Sequence, residues 1–366
     1  MADFSKLKEL AAQVRRDIVR MVFNCQSGHP GGSLGCTEYF VALYGNVLKH
    51  KPKPFKMEGK GQDLFFLSNG HISPVWYSVL ARTGYFDVKE LNTFRKINSR
   101  LQGHPATHEG LPGIRIASGS LGQGLSVAVG AALAKRLDGD KRWVFVLTGD
   151  GELQEGQCWE AIMAAAHHKV DNLIATVDWN GQQIDGPNNE VMSLYNLPAK
   201  WKAFGWDVII QEKGNDLDAV VATLRKAKRR TGKGKPVVIL MKTDMGYGVD
   251  FMAGTHKWHG KAPNQEQFDS AMKQLPVTAL GDPRLPDPMS VDCAAPGKGR
   301  WADGRNWVYD FDEDLPAGVR CRFTPSCSRY AVGALAQDGF VAGNLRTVWR
   351  LLRCGPWTGA GTVDPP

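Results

Sequence analysis

No uncharged apolar run in the 366 residues is long enough to span a bilayer, which argues against a transmembrane helix. The opening residues, Met1-Ala-Asp-Phe-Ser-Lys-Leu-Lys-Glu9, are interrupted by charge and lead into no apolar core. A signal peptide is therefore not expected, and the cytoplasm is the default compartment. Cysteine is sparse and odd in number, with seven residues, which speaks against a secreted disulfide framework. Cys25, Cys36 and Cys158 sit in apolar or helical contexts that suit small core residues. None of the nine histidines shows zinc-ligand spacing. Internal repeats are absent. Lysine nearly disappears late in the chain: residues 281–366 hold only Lys298 beside nine Arg, with ten acidic groups balancing the ten basic ones. Two regions of unlike character follow from that change.

What is present suits a globular α/β protein, since 43% hydrophobic residues are enough for a sizeable core. A net charge of +8 attracts anionic substrates, nucleic acid or membrane without choosing among them. The densest basic run, residues 225–235, ends a predicted helix, where cations complement the helix dipole. A solvated helix end is expected there, and no nucleic-acid partner. Spacing predicts an amphipathic helix over 4–25, an Ala-rich helix over 121–136, and helices over 157–168 and 217–229. Apolar, β-branched runs predict strands at 142–148, 173–177, 207–211 and 236–243. Their alternation argues an α/β fold with a doubly wound parallel sheet and helices on both faces. The expected organisation is a body over residues 1–275, a poorly ordered Pro-, Gly- and Asp-rich linker over 276–318, and a small helical tail over 319–366.

The chemistry concentrates at Gly149-Asp150-Gly151-Glu152, followed 28 positions later by Asn180. Each lies at the end of a predicted buried strand, with one helix between. A strand–helix–strand unit in a parallel sheet brings both strand ends to one edge, where open α/β sheets bind ligands. Asp150 and Asn180 are then neighbours, and a carboxylate with an amide oxygen suits a hard cation such as Mg²⁺ or Ca²⁺. Gly149 and Gly151 allow a diphosphate close to the backbone. Four glycine-flanked histidines, His29, His71, His104 and His256, each follow a turn. Four at turns, among nine, suggest a cluster that exchanges protons or binds hydroxyls and phosphates. The loop 118–124 opens a helix and suits an anion or a heterocycle.

Residues 5–275 resemble the N-terminal, thiamine-diphosphate-binding half of transketolase, in the form split into two separately encoded subunits. The blocks that carry the resemblance are SGHPGGSLG, FLSNGH, LQGHPA, GSLGQG, GDGELQEG, Asp178-Trp-Asn-Gly181 and THKWHGKAPN, in that order. The resemblance implies that Asp150, Asn180 and the Gln182 carbonyl ligate the metal. It implies that His71, Gly151 and His256 contact the cofactor diphosphate and that Ile184 packs on the thiazolium. Gly119 and Leu121 offer main-chain contacts to the aminopyrimidine. His29, His71, His104 and His256 face the substrate, and Glu155 stands at a subunit interface beside the cofactor. The implied activity is transfer of a two-carbon ketol unit between sugar phosphates, as in the pentose phosphate pathway. The implied assembly is a hetero-oligomer built on a dimer. A C-terminal subunit supplies the pyrimidine-side glutamate and the phosphate-gripping arginines, so the chain alone is expected to be inactive. The enzymatic alternative is a 1-deoxyxylulose-5-phosphate synthase-like enzyme, which shares the metal motif and uses pyruvate as donor.

The tail resembles a second family, the membrane-protein-insertion efficiency factors, through CRFTPSCSRYA (321–331) and RLLRCGPW (350–357). Leu345, Val348, Trp349 and Leu352 fall on one helical face, with Arg346, Arg350 and Arg353 largely opposite. Such a face suits an anionic bilayer or an ordinary docked helix. Cys321, Cys327 and Cys354 pair or stay reduced, and a cytoplasmic setting favours thiols. Acidic Asp310-Phe-Asp-Glu-Asp314 replaces the family's amphipathic N-terminal segment, and Asp338 and Gly355 stand where the family usually has His. The tail therefore reads as a truncated copy, with a peripheral membrane insertion factor as the alternative.

Overall fold

The computed structural model describes residues 4–284, together with 300–302, 306–308, 323–324 and 362–363. Two units are separable, Met1–Leu285 and Pro286–Pro366. The first is built on five parallel strands: β1 (Leu64–Leu67), β2 (Val144–Gly149), β3 (Leu173–Trp179), β6 (Asp207–Gln211) and β7 (Val237–Lys242). A short antiparallel pair, β4 (Gln182–Gln183) and β5 (Gly186–Pro187), follows β3. In the main sheet the order is β1-β2-β3-β7-β6. The strands read as near-continuous apolar runs because both faces are covered: every residue of Val144–Thr148 and Leu173–Asp178 is buried.

Ten helices are described: α1 (Phe4–Cys25), α2 (Pro30–Gly35), α3 (Thr37–Ala42), α4 (Ser73–Arg82), α5 (Gln123–Leu137), α6 (Gly156–His167), α7 (Asn188–Val191), α8 (Leu197–Ala203), α9 (Leu217–Arg230) and α10 (Gln265–Gln274). Helix α5 packs on β1, β2 and β3 with α6 beside it, while α9 packs on β6 and β7 with α3 beside it. The doubly wound α/β fold read from the sequence is the fold observed. Element ends differ from the sequence reading by a residue or two: α5 opens at Gln123 rather than 121, and β3 runs on to Trp179. Helix ends fray and strand ends depend on the partner's register, so such shifts carry no physical weight.

The basic run of α9 is absorbed locally. Asp216 caps the helix, accepting from the Ala219 N–H at 3.1 Å. At the far end Arg230 meets Asp207 at 2.9 Å, and Lys228 lies 4.0 Å from the Trp143 ring centre and 3.3 Å from Asp63.

Residues 276–284, assigned by sequence to the linker, run back along α1. Thr278 Oγ1 donates to Gln13, the Ala279 N–H to Glu9, and Asp282 takes Arg16 Nε at 2.9 Å and Nη2 at 2.6 Å. Gln13 ties Asp282 to buried Asp17, which Arg82 grips through two nitrogens at 2.9 Å. In the second unit the described residues form two short pairs. Arg300–Ala302 runs antiparallel to Asn306–Val308, and Phe323–Thr324 parallel to Thr362–Val363. The tail helix anticipated from the pattern at 345–352 lies outside the described residues.

Partial burial raises the Asp282 carboxyl, but the Arg16 and Gln13 hydrogen bonds and the Arg20 charge outweigh it and hold the group down at about 2. An ordinary aspartate titrates near ~4, so this contribution is complete above that pH and is lost as pH falls toward about 2. Asp282→Asn should cost roughly 1–2 kcal/mol near neutrality, a figure discounted for partial exposure. Urea denaturation of both chains across the acid range checks this. The gap should close on acidification, and a gap independent of pH contradicts the ion-pair account.

Candidate functional site

The ends of β1, β2, β3 and β7 share one edge of the sheet, and a cavity of about 260 Å³ opens there. Register creates it. Gly149 pairs with Asp178, so the residues after β2 and β3 leave the sheet side by side. The Asp150 N–H donates to the Asp178 carbonyl at 3.1 Å, and Asp150 Oδ2 accepts from the Gly181 N–H at 2.6 Å. Its Oδ1 accepts from the Gly151 N–H at 2.8 Å. Burial, then the neighbouring Asp178 carboxylate, raises the Asp150 carboxyl to about 7 against the pull of the Gly181 and Gly151 N–H groups. Such a group gains most from a cation. Asn180 is folded over the same spot: its Nδ2 donates to Asp178 and its Oδ1 accepts from the Gln182 N–H, both at 2.8 Å.

Of the residues singled out by sequence, His29, His71, His104, Gly119, Leu121, Asp150, Gly151, Asn180, Gln182 and Ile184 all line this cavity. Ile184 is 60% exposed, an apolar side chain that the described residues leave uncovered. The geometry of Gly119 demands glycine, since its φ is +137° and a Cβ would stand 2.9 Å from the His104 ring.

One assignment needs correction. His256 is not in the cavity wall; its place is taken by His259. A 3₁₀ turn, His256–Trp258, closes through the His259 N–H to the His256 carbonyl at 2.8 Å and sinks Trp258 into the core. The next residue then reaches the cavity, 4.9 Å from the His71 ring and 5.4 Å from that of His29. Glu155 stands exposed beyond the turn after β2, outside the wall, a position open to an interface. The buried acid of this segment is Glu152, whose carboxylate accepts from Ser68 Oγ at 2.5 Å, the Gly122 N–H at 2.8 Å and the Gly149 N–H at 3.0 Å. Three loops are stapled by that one side chain. Both omissions carried a local sign: His259 precedes Gly260 just as other cavity histidines adjoin glycine, and Glu152 completes the GDGE run.

The four cavity histidines form a continuous group, with His29 also 5.0 Å from His71 and 6.2 Å from His104. Desolvation dominates their protonation. His29 is pushed down to about 3 by burial, with His259, Arg95 and His104 adding to the effect. His71 lies well below its usual range, and His104 and His259 are lowered too, in each case first by burial. All four are neutral near pH 7, each offering one donor and one acceptor nitrogen.

The fit to a bound polar group can be tested on this geometry. Buried polar atoms without a partner lie in or beside the cavity wall: His29 Nδ1, His259 Nδ1, Asn69 Oδ1 and Ser118 Oγ. Buried polar groups are ordinarily satisfied, so their concentration here fits a ligand with several oxygens and nitrogens. The donor set Asp150, Asn180 and the Gln182 carbonyl contains one carboxylate and otherwise neutral oxygens. It fits a hard cation completed by a ligand's own oxygens. Among the described residues no group of three or more His, Cys, Asp or Glu is arranged to hold a metal by itself.

Comparison with known proteins gives a consistent result. Residues 7–280 match the family model "Transketolase, thiamine diphosphate binding domain", and residues 314–366 match "Putative membrane protein insertion efficiency factor". One subunit of the apulose-4-phosphate transketolase of Actinobacillus succinogenes is 38% identical over 273 residues, covering 74% of this chain and 96% of that protein. The 6-deoxy-6-sulfo-D-fructose transketolase subunit SqwG of Clostridium sp. MSTE9 is 37% identical over 270 residues, with the same coverages. The solved transketolase of Leishmania mexicana superposes with a TM-score of 0.69 at 29% identity. That of Campylobacter jejuni superposes with 0.68 at 33%. This chain spans 43% and 44% of those two proteins, less than half of either.

The Glu152 staple yields a direct expectation. Glu152→Ala leaves three buried donors unpaired and should destabilise the chain by roughly 3 kcal/mol. Glu152→Gln, which keeps an acceptor oxygen, should lose less. Thermal melts in the absence of any ligand check this, and an alanine variant melting with the parent would show that the carboxylate ties nothing together.

Proposed function

The chain belongs to the transketolase family, matching its thiamine-diphosphate-binding domain over residues 7–280, and on that premise we propose that it is the N-terminal subunit of a split transketolase. In this reading it transfers a two-carbon ketol unit between sugar phosphates and needs a C-terminal subunit for activity. The observation that carries the reading is the meeting of Asp150 and Asn180 at the sheet edge beneath four neutral histidines. Relatives named as single subunits of transketolases share almost their whole length with this chain, which supports a separately encoded partner. The uncovered Ile184 and exposed Glu155 beside the cavity support a site completed from outside.

Asp150, Asn180 and the Gln182 carbonyl would hold Mg²⁺ or Ca²⁺, and thereby the diphosphate. The glycine pair 149 and 151 leaves room for that diphosphate, with His71 and His259 beside it. Gly119 and Leu121 would meet the aminopyrimidine and Ile184 the thiazolium. Thiamine diphosphate, when bound, supplies the electron sink for carbon–carbon cleavage. The protein's own part is to orient the sugar and to move hydroxyl protons. Neutral imidazoles at His29, His71, His104 and His259 can accept and return such protons. No helix among the described residues is long and apolar enough to cross a membrane, and we place the enzyme in the cytoplasm.

A second reading concerns the end of the chain, where residues 314–366 match the insertion-factor family. There a truncated copy and a membrane-binding module predict different outcomes in a pelleting assay with anionic liposomes. Binding that disappears on removing those residues supports the module.

Two measurements test the main reading. Asp150→Asn should weaken Mg²⁺-dependent thiamine diphosphate binding, read by calorimetry, by roughly 100-fold or more, since even outer-shell partners of a metal are worth ~10–100-fold. The purified chain should show no turnover with thiamine diphosphate and Mg²⁺, and should gain it with the complementary subunit. Full turnover by the chain alone contradicts the split site. Use of pyruvate rather than a ketose phosphate as donor would instead point to the 1-deoxyxylulose-5-phosphate synthase-like alternative.

A further inference from the structure

Asp178 is a buried acid beside the cation ligands to which no role has been given. It sits near the end of β3, opposite Gly149 on β2 and Met241 on β7, with 1% of its surface exposed. The five residues before it, Leu173–Val177, are apolar apart from one Thr, as suits a strand covered on both faces. A carboxylate at such a place is costly unless partners hold it.

Those partners come from separate parts of the fold. Thr243 Oγ1, just past β7, donates to Oδ1, and the thiol of Cys36, the residue before α3, is hydrogen-bonded to the same carboxylate. Oδ2 accepts from Asn180 Nδ2 at 2.8 Å. Both oxygens are thus engaged inside the protein, and the cavity wall does not include the residue.

Asp178 nevertheless touches both side-chain ligands of the proposed cation site. Its carbonyl accepts from the Asp150 N–H at 3.1 Å, which sets where the Asp150 carboxylate leaves the sheet. Its carboxylate takes the nitrogen end of the Asn180 amide, while the Gln182 N–H takes the oxygen end at 2.8 Å. An asparagine amide has one donor end and one acceptor end, and only the oxygen can face a hard cation. Turned over, the amide would set its oxygen against a carboxylate and its NH₂ against an N–H. Its orientation is therefore fixed from both ends. The proposed donor set also gives a divalent ion one carboxylate, that of Asp150. Asp178 adds a second, one hydrogen bond behind the Asn180 amide, and occupies no position that diphosphate oxygens need.

We propose that Asp178 is the positioning residue of the cation site, acting through Asn180 to keep the amide oxygen toward Mg²⁺ and touching neither the ion nor the cofactor. The assignment rests on the transketolase reading and deepens it. The competing account is an anchor alone, in which Asp178, Thr243 and Cys36 only tie β3 to β7 and α3.

The test follows thiamine diphosphate binding to the full chain by calorimetry over a range of Mg²⁺ concentrations, beside thermal melts without ligand. Asp178→Asn should raise the Mg²⁺ concentration at half-saturation on the order of ten- to a hundredfold, the range of an outer partner of a metal ligand. Excess Mg²⁺ should restore binding. Thr243→Val, which removes the strand-side partner and leaves that of Asn180, should lower the melting temperature and leave the Mg²⁺ midpoint nearly unmoved. The exchange Asp178→Asn/Asn180→Asp rebuilds the contact with its ends reversed and should bring the midpoint back, and it decides the matter even where Asp178→Asn alone does not fold. An unmoved midpoint in Asp178→Asn, an equal shift in Thr243→Val, or an exchange that recovers nothing overturns the proposal. A loss that excess Mg²⁺ does not restore also overturns it, since that marks a distorted cavity. Any of these outcomes leaves the transketolase reading standing. If neither the wild-type chain nor its complex with the complementary subunit takes up thiamine diphosphate at any Mg²⁺ concentration, that reading falls and the role of Asp178 falls with it.

Discussion

Parallel pairing of β2 with β3 in the register Gly149 to Asp178 is the constraint on which the rest of the site depends. Because both faces of these strands are covered, side chains along them are committed to the core. Only the residues just past the strand ends are free for chemistry. The Asp150 N–H closes the register on the Asp178 carbonyl, and Asp178 is itself anchored by Thr243 and Asn180. A slip of one residue would turn Asp150 to the opposite face and separate it from Asn180.

Burial around that edge acts with opposite sign on acids and bases. Asp150 and Glu152 are raised, and the four cavity histidines are lowered. Both shifts disfavour the charged form, so the cavity carries little formal charge of its own. A cation with a polyanionic ligand brings the charge, and the orphaned amides and imidazoles supply neutral donors and acceptors.

Several parts were legible because they follow from local pattern. The strand runs Val144–Thr148 and Val237–Met241 are apolar and β-branched, and the α1 helix runs over the residues its spacing predicts. The Asp150–Asn180 pairing followed from one topological rule about parallel crossovers. His29, His71 and His104 were found because glycine beside a turn histidine marks a ring presented by a tight loop rather than from inside a helix or strand. The same rule applied to the segment 254–260 chose His256, because sequence alone does not say which of two histidines three residues apart a 3₁₀ turn carries inward. The extent of the body also differs, as residues 276–284 have little periodicity yet are held on α1 by Gln13, Glu9 and Arg16.

By itself the sequence determined the alternation of strands and helices, the edge where a ligand sits, and the residue types waiting there, since these depend on periodicities and dihedral preferences within a few residues. Tertiary structure alone decided that Glu152 staples the loops of Ser68, Gly122 and Gly149 and that His259 joins the histidine group. Those outcomes turn on segments distant in the chain closing against one another. A hydrogen bond or a ring contact is a property of that closure rather than of any stretch of residues.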